Sequence, residues 1–254
     1  LISSSQMQLR GLRFNCIINF LFKRRYILSL VKLFDAPENI DQKVVYLARV
    51  SSENQDNPNY EGLMKYLIRE KHWSPLDMQN IVMEINTEKD IGIQILRHPL
   101  LPQEFSQRYA DCSDMKAPLR ECRLQDTDNR QNSIVCEDLE LIEWWMRAQE
   151  DVQKMCFNRY ETALKKGIAK ELARSLLPIG LTSTKMYFNA TLRQWLFYAL
   201  SRTHMSTQKE HRVVGKEVFS VLLSVAPCAT NAFIKTYMQE QEQYDFNYSL
   251  LSEN

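Results

Sequence analysis

Hydrophobic periodicity predicts a mixed first half and a mostly helical second half of this chain. Apolar residues recur at helical spacing over Asp41 to Val50 and over Tyr60 to Glu70, which predicts two amphipathic helices. The run from Ile81 to Ile85 predicts a buried strand, and Lys89 to Arg97 predicts a helix after it. The pattern is typical of an α+β fold with a mixed or antiparallel sheet flanked by helices.

Polar residues at the end of this third helix share one face. Gln94, Arg97 and His98 stand at positions i, i+3 and i+4, so a helix would project all three in one direction. The prolines at 99 and 102 then predict a short loop.

Alternation of polar and aromatic residues follows that loop. Glu104, Ser106 and Arg108 alternate with bulkier neighbours up to Tyr109, which predicts a strand with one polar face. A hydroxyl and a guanidinium two residues apart on a strand suit a phosphate or a carboxylate. An ordinary exposed strand with alternating charges explains the pattern equally well.

The second half carries longer helical patterns. Residues 111–134 are polar and predict a long loop, and residues 136 to about 166 predict one long helix. Four large side chains on this helix are expected to pack in the core or against another subunit: Trp144, Trp145, Met155 and Tyr160.

Arginines frame the segment after this helix. A helix that ends before Pro178 places Arg174 near its last turn. A strand-like run from Leu181 to Phe188 leads to a helix with Asn189 as its predicted cap, and this helix continues to Arg202.

Composition limits the kinds of site that the chain is expected to form. With 254 residues, 44% of them hydrophobic, the chain is long enough to bury one sizeable core. Its net charge of +1 excludes the strong basic field of a general nucleic-acid binder. The glycine-rich loops that usually cradle phosphates are absent from the sequence, so side chains must hold any bound nucleotide.

Cysteine and histidine spacing argues against a disulfide framework and against a metal site. The six cysteines include no Cys-x-x-Cys pair, which is typical of reduced thiols in the cytoplasm. The four histidines include no His-x-x-x-His pair, so we expect no bound metal.

The first residues differ from the rest, because six basic residues precede the first acidic residue, Asp35. We predict a basic extension over residues 1–26, which resembles a transit segment and keeps organelle targeting open. A single domain is predicted over 27–240 and a tail over 241–254. The apolar run at 16–22 is too short to cross a bilayer, so we expect no membrane partner.

Together these segments resemble the flavin-dependent thymidylate synthases, over roughly residues 31–233. The matching motifs are Ala48-Arg49-Val50-Ser51, His72-Trp73-Ser74-Pro75, Gln94-Ile95-Leu96-Arg97-His98, Gln103 to Tyr109, Arg123-Leu124-Gln125-Asp126, Asn129-Arg130-Gln131-Asn132-Ser133, Ala173 to Pro178, Leu192-Arg193-Gln194-Trp195 and Thr207-Gln208-Lys209-Glu210-His211. The resemblance implies that family's fold and the reductive methylation of dUMP to dTMP. It also implies FAD as cofactor, NADPH as reductant, methylenetetrahydrofolate as carbon donor, and a homotetramer with active sites between subunits.

The resemblance also implies roles for individual residues. Arg202 matches the arginine that polarises the uracil ring, so it is the expected catalytic residue. The residues expected to bind dUMP are Gln94, Arg97, Glu104, Ser106, Arg108, Arg174 and Arg202, with those of the predicted strand coming from a neighbouring subunit. The residues expected near FAD are Ser74, Arg97, His98, Glu104, Asn189 and Arg193. His72 and Tyr109 match positions on the flavin and folate side. An ordinary ion pair between Glu104 and an arginine is the alternative for that carboxylate.

The chain departs from the family pattern at a loop that meets the flavin. Family members carry Arg-His-Arg where this chain has Arg97-His98-Pro99, and the loop here is one residue shorter. Leu76-Asp77-Met78 and Phe197 also differ from the usual residues. Three hypotheses follow: an active synthase, a degenerate nucleotide-binding relative without turnover, and a purely helical interaction module that leaves the polar faces unexplained.

Overall fold

The computed structural model describes residues 30–250. The predicted extension at 1–26 and the last four residues of the predicted tail therefore lie outside the described residues. The helices are α1 (Ile40–Ala48), α2 (Glu61–Arg69), α3 (Lys89–Ile95), α4 (Leu139–Lys165), α5 (Lys170–Ala173), α6 (Leu192–Thr203), α7 (Lys209–Val225) and α8 (Pro227–Tyr237). The strands are β1 (Leu30–Asp35), β2 (Asn80–Glu88), β3 (Leu101–Glu104), β4 (Arg123–Gln125), β5 (Ser133–Val135) and β6 (Ser183–Thr191).

A four-stranded antiparallel sheet with the order β1-β2-β6-β3 forms the centre of the fold. Strands β2 and β6 pair along their whole length, with Asn80 opposite Thr191 and Glu88 opposite Ser183. Alternate residues of both strands are buried, as expected for strands with one face on a core. This sheet and its surrounding helices confirm the predicted α+β class.

The helical half covers the buried face of the sheet. Trp195 of α6 is fully buried, and its indole nitrogen donates a 2.9 Å hydrogen bond to the carbonyl oxygen of Ile81 in β2. Helices α7 and α8 add Phe219 and Phe233 to the same core. No helix within residues 30–250 is long and apolar enough to cross a membrane.

Strand β3 ends earlier than its sequence pattern predicted. The predicted strand from Glu104 to Tyr109 is wrong, since β3 stops at Glu104 and residues 107–109 form a turn. The neighbouring strand accounts for the difference: the amide of Ser183 donates to the carbonyl oxygen of Met115, 2.8 Å away, so residues beyond 105 find no strand partner there. Pro102 is accommodated because β3 lies at the sheet edge, where a missing N–H costs little.

Helix α6 begins with a different cap from the one predicted. Asn189 lies inside β6, so its predicted capping role is wrong. Thr191 caps the helix instead, because its hydroxyl accepts from the amide of Gln194 while the Gln194 side chain accepts from the amide of Thr191. This reciprocal arrangement is a capping box, which satisfies two backbone donors at once.

The region between β3 and α4 is more ordered than predicted. Residues 111–134 were expected to form a loop, but the short hairpin β4–β5 lies within them and extends to residue 135. Helix α4 starts at Leu139 rather than at 136, because the Asp138 carboxylate caps the amides of residues 140 and 141. Tyr160 is buried as expected, whereas Trp144 and Met155 are 61% and 57% exposed.

Candidate active site

The end of α3 meets α6 and the start of α7 in a cluster of polar side chains. Gln94 donates to Gln208 at 2.9 Å and bonds to Nδ1 of His211 at 3.2 Å. The Nε2 atom of His211 lies 2.9 Å from the hydroxyl of Tyr198. His98 packs edge-on against the Tyr198 ring, with a centroid distance of 4.8 Å. Two residues predicted for the site, Gln94 and His98, therefore lie beside His211, and the charge of a third, Arg202, acts on it.

Helix α3 ends at Ile95, two residues before the predicted end. Arg97 and His98 lie in a tighter turn, because their amides bond to the carbonyl oxygens three residues earlier. Gln94 and His98 contact the His211 cluster from this turn, while Arg97 is exposed. The described residues offer the Arg97 guanidinium neither a hydrogen bond nor an ion pair.

Arg202 lies half-buried in the last turn of α6. Its Nε atom donates to the hydroxyl of Ser201 at 3.0 Å. Within residues 30–250 no carboxylate lies at ion-pair distance from its guanidinium, so the two terminal nitrogens keep their donors for a ligand. Burial first, and then the charge of Arg202, lowers the pKa of both His98 and His211.

His211 is neutral at physiological pH. Burial, together with the charges of Arg202 and His98, lowers the pKa of His211 to about 3. The Tyr198 hydroxyl keeps its proton, because burial raises the pKa of that phenol far above its usual range. His211 and Tyr198 are therefore an uncharged hydrogen-bonded pair next to the Arg202 guanidinium.

We expect acid to destabilise the fold through His211. Between pH 6.5 and about 3 the unfolded imidazole binds a proton that the folded one excludes, so the free energy of unfolding falls as the pH falls. A drop from pH 7 to pH 4 should cost about 3 kcal/mol from this residue alone. Urea unfolding of the wild type and of His211→Asn at several pH values measures the effect. An equally steep pH dependence in both proteins would contradict it.

Close approach of α7 to α6 brings the two halves of this cluster together. A Cβ atom added at Gly215 would lie 3.0 Å from both the carbonyl carbon and the Cβ atom of Arg202. Glycine at this position therefore sets the distance between the helices beside Arg202.

Substitution of this glycine has a matched control in α2. We expect Gly215→Ala to destabilise the fold by about 1–3 kcal/mol, because the added methyl group forces Arg202 and α7 apart. Gly62→Ala should instead stabilise by about 0.5 kcal/mol, since alanine favours a helix and a Cβ atom at Gly62 meets nothing within 4 Å. Thermal unfolding of both variants tests this. The same sign in both would show that the helix contact does not decide the outcome.

A second group of predicted residues lies around Glu171 of α5. Arg108 forms a 3.2 Å ion pair with Glu171, and its guanidinium lies over the ring of Tyr109. The Nε atom of Arg174 donates to the carbonyl oxygen of Glu171 at 3.3 Å. Ser106 starts the turn, and its hydroxyl accepts weakly from the amide of Arg108 at 3.4 Å. Within the described part of the chain, no hydrogen bond or ion pair links this group to the His211 cluster.

A third group lies at the start of α6. Arg193 forms a 2.9 Å ion pair with Asp77, and its guanidinium lies 5.7 Å from the ring centre of Trp73. Ser74 and His72, which flank Trp73 in the sequence, are exposed. The Gln194 side chain donates to the carbonyl oxygen of Pro99 at 2.8 Å, which ties the shortened loop to α6.

Asn189 and Glu104 complete the predicted set. The side-chain oxygen of Asn189 is buried and has no hydrogen-bond donor among the described residues. Glu104 forms an ion pair with Lys89 and accepts a 2.7 Å hydrogen bond from the Thr184 hydroxyl. Its partner is thus a lysine, and the predicted alternative of an arginine is wrong.

Sequence reasoning assigned no role to Tyr198, Gln208, Glu210 or His211. A signal was present, because Glu210 and His211 begin the buried face of α7, which continues through Val214 and Val218. Polar residues on an otherwise apolar helix face require hydrogen-bond partners. That pattern identifies the two residues, although not what they bond to.

Comparison with known proteins places this geometry in a family. Residues 32–228 match the family model described as "Thymidylate synthase complementing protein". The chain is 41% identical over 198 residues to the "Flavin-dependent thymidylate synthase" of Synechocystis sp., covering 78% of this chain and 89% of that protein. It is 40% identical over 202 residues to the "Probable flavin-dependent thymidylate synthase" of Paramecium bursaria Chlorella virus 1, covering 76% and 92%.

A solved structure shares the fold. The UMP/dUMP methylase PolB from Streptomyces cacaoi, bound with 5-Br dUMP, superposes with a TM-score of 0.73 over 82% of this chain and 96% of that one. The sequence identity is 24%.

Proposed function

We propose a function from one premise: this chain belongs to the flavin-dependent thymidylate synthase family. It is an enzyme that methylates dUMP to dTMP. The observation that carries this function is Arg202, a guanidinium without an acid partner in the described residues, placed beside the neutral pair of His211 and Tyr198. This is the arrangement needed where negative charge develops on a substrate ring.

The chain's own groups supply charge stabilisation rather than a nucleophile. Carbon 5 of uracil becomes nucleophilic when the ring carries negative charge, and it then attacks the one-carbon donor. The two terminal nitrogens of Arg202 are placed to donate to the charged ring before that attack. His211 remains neutral, so it adds no charge that would compete with the substrate. Gln94 is fixed by two hydrogen bonds and offers its remaining amide capacity to the nucleotide.

We propose FAD as the flavin, and two features of the chain fit it. The buried side-chain oxygen of Asn189 needs a donor, which a ring N–H provides, and the unpaired guanidinium of Arg97 suits a phosphate. The bound flavin supplies a hydride when reduced. We keep Ser74, His98 and Arg193 as flavin contacts. His98 follows Arg97 in the sequence, Arg193 lies four residues after Asn189, and Ser74 follows Trp73, whose ring lies beside the Arg193 guanidinium. Glu104 stays proposed for both ligands, and His72 and Tyr109 for the folate side.

NADPH as reductant and methylenetetrahydrofolate as carbon donor complete the proposal. Chromatographic detection of dTMP tests both components. NADPH, methylenetetrahydrofolate and FAD are each omitted in turn from the reaction. Formation of dTMP that requires all three supports the proposal. Formation without NADPH or without the folate would replace that component by another donor.

Active sites between subunits account for the separation of the two arginine groups. Ser106, Arg108 and Arg174 do not reach the His211 cluster within their own chain, although both groups match dUMP positions. Large apolar side chains on α4 and α5 are exposed, including Trp144 at 61% and Leu172 at 63%. Such a surface suits contact with another copy, and we propose the homotetramer.

The cytoplasm remains our prediction for the compartment of this protein, because the cysteine spacing is typical of reduced thiols.

Restoring the missing arginine of the loop should strengthen flavin binding. Pro99 is exposed, and its carbonyl oxygen is held by Gln194. We expect Pro99→Arg to tighten FAD about 10- to 150-fold, because a charge-assisted hydrogen bond contributes about 1.5–3 kcal/mol. Pro102→Arg places the same charge on β3 and serves as the control. Fluorescence titration with FAD measures both, and unchanged affinity in Pro99→Arg would show that the loop takes another path.

A further inference from the structure

A chain of hydrogen bonds starts at the buried carboxylate of Glu210. The Gln208 side-chain nitrogen donates to Glu210 at 3.0 Å, and the Gln94 nitrogen donates to the Gln208 oxygen at 2.9 Å. The Gln94 oxygen then meets Nδ1 of His211, whose Nε2 atom meets the Tyr198 hydroxyl. Glu210 itself is 1% exposed. These five residues lie on three helices and in the turn before α7, so their side chains fix one another.

The negative charge on Glu210 determines which group donates and which accepts at each bond of the hydrogen-bond chain. Burial alone would raise the pKa of Glu210, but the charge of Arg123 and the hydrogen bonds outweigh burial and lower the pKa below its usual value. One nitrogen of Arg123 lies 2.8 and 3.0 Å from the two carboxylate oxygens. An ionised carboxylate accepts hydrogen bonds and has none to donate. Gln208 must therefore present its NH2 group to Glu210 and its oxygen to Gln94.

The orientation of Gln208 also determines the orientation of Gln94 and the protonated nitrogen of His211. Since the Gln208 oxygen accepts, the Gln94 amide must present its nitrogen there, and its oxygen then faces His211. The neutral imidazole carries one proton, which belongs on Nδ1 to serve that oxygen. Its Nε2 atom is left to accept from the Tyr198 hydroxyl, which keeps its proton. Each donor of the hydrogen-bond chain meets an acceptor only when the side chains are oriented in this way.

Gln94 keeps one N–H group that is available to a ligand. One hydrogen of its NH2 group is used by Gln208, so the second N–H remains, in a fixed orientation. An amide that was free to flip could turn its oxygen toward a ligand oxygen, which would be repulsive. The ordered chain prevents this flip.

We propose that Glu210 is a positioning residue for nucleotide binding: through Gln208 it locks the Gln94 amide so that the free N–H donates to an oxygen of dUMP. This role rests on the proposed function, since it takes Gln94 as a dUMP contact. Arg123, on the hairpin β4–β5, keeps Glu210 ionised and so connects the hairpin to the binding site.

The test compares two substitutions that interrupt the hydrogen-bond chain at different residues. Glu210→Gln removes the group that sets the direction, because a second amide accepts either orientation of Gln208. Gln208→Met removes the link and leaves the Arg123–Glu210 pair in place. We expect calorimetry to show roughly tenfold weaker dUMP binding for each, the loss of about one hydrogen bond. In turnover, KM should rise while kcat stays within about twofold of the wild type. Glu143→Gln, an exposed change on α4, is the matched control and should leave both unchanged.

A double-mutant cycle with Gln94→Ala separates positioning from a merely structural effect. In the Gln94→Ala background, Glu210→Gln and Gln208→Met should weaken dUMP binding no further. An equal loss in both backgrounds, or no loss in the Gln94 protein, overturns the proposal. A wild-type protein that fails to bind dUMP would instead refute the proposed function.

The oxygen that receives the N–H is either on the phosphate or on the nucleoside. Titration with 2′-deoxyuridine distinguishes them. A tenfold effect that persists assigns a base or sugar oxygen, and an effect that vanishes assigns the phosphate, each in support of the donor role.

Discussion

Replacing Arg202 by alanine is expected to lower kcat for dTMP formation by about 10²- to 10³-fold, the usual effect of removing a donor aimed at developing charge. The reason lies in its surroundings: among the described residues its guanidinium has one hydrogen bond, to Ser201, and no acid partner. Its neighbours His211 and Tyr198 are neutral, so they do not replace the charge that the substitution removes. Stopped assays with saturating dUMP measure the loss.

Flavin binding should survive the same substitution, because Arg202 is not among the proposed flavin contacts. Arg202→Lys retains the charge without the planar fork, so its rate should lie between the two. Arg147→Ala, on the exposed surface of α4, is the control. A near-normal kcat in Arg202→Ala would remove Arg202 from the catalytic role.

Arg108→Ala is expected to raise the KM for dUMP about 10- to 150-fold, since one charge-assisted contact to phosphate contributes about 1.5–3 kcal/mol. Its ion pair with Glu171 is exposed, so the fold should lose little stability when it is removed. Thermal unfolding checks that point, and Arg147→Ala again serves as the control. An unchanged KM would place the phosphate elsewhere.

Co-expression of Arg108→Ala and Arg202→Ala chains tests whether a site is shared between subunits. If the two arginines of one site come from different chains, random mixing leaves about a quarter of the sites with both arginines intact. Assayed at a dUMP concentration far below the raised KM of Arg108→Ala, the mixed protein should therefore be more active than either variant alone. Mixed protein no more active than the Arg108→Ala protein at that concentration would show that each site belongs to a single chain.

Secondary structure with strong periodicity could be predicted from the sequence, and the exceptions have identifiable causes. Helices α1 and α2 and strand β2 lie where the apolar spacing predicted them. Strand β3 ended early because the amide of Ser183 bonds to Met115, a contact between distant segments that no local pattern contains. The start of α6 was predictable in principle, since Thr191 with Gln194 three residues later is a capping box signature.

Some residues of the site could likewise be predicted from the sequence, and others could not. Motif resemblance singled out Gln94 and Arg202, and the structure brings both to His211. The partners of Gln94 escaped prediction, because they lie 114 and 117 residues away in sequence. Likewise the separation of Arg108 from Arg202 depends on the path of the chain around α4 and α5, which the sequence pattern does not specify.

Release of tritium from dUMP labelled at carbon 5 tests the central claim most directly, since methylation at that carbon displaces its hydrogen. Purified protein with FAD, NADPH and methylenetetrahydrofolate should release tritium, and omission of any one of the three should stop the release. Absence of release from folded protein that binds dUMP, even at high FAD, would contradict the account and identify the chain as a nucleotide-binding relative without turnover.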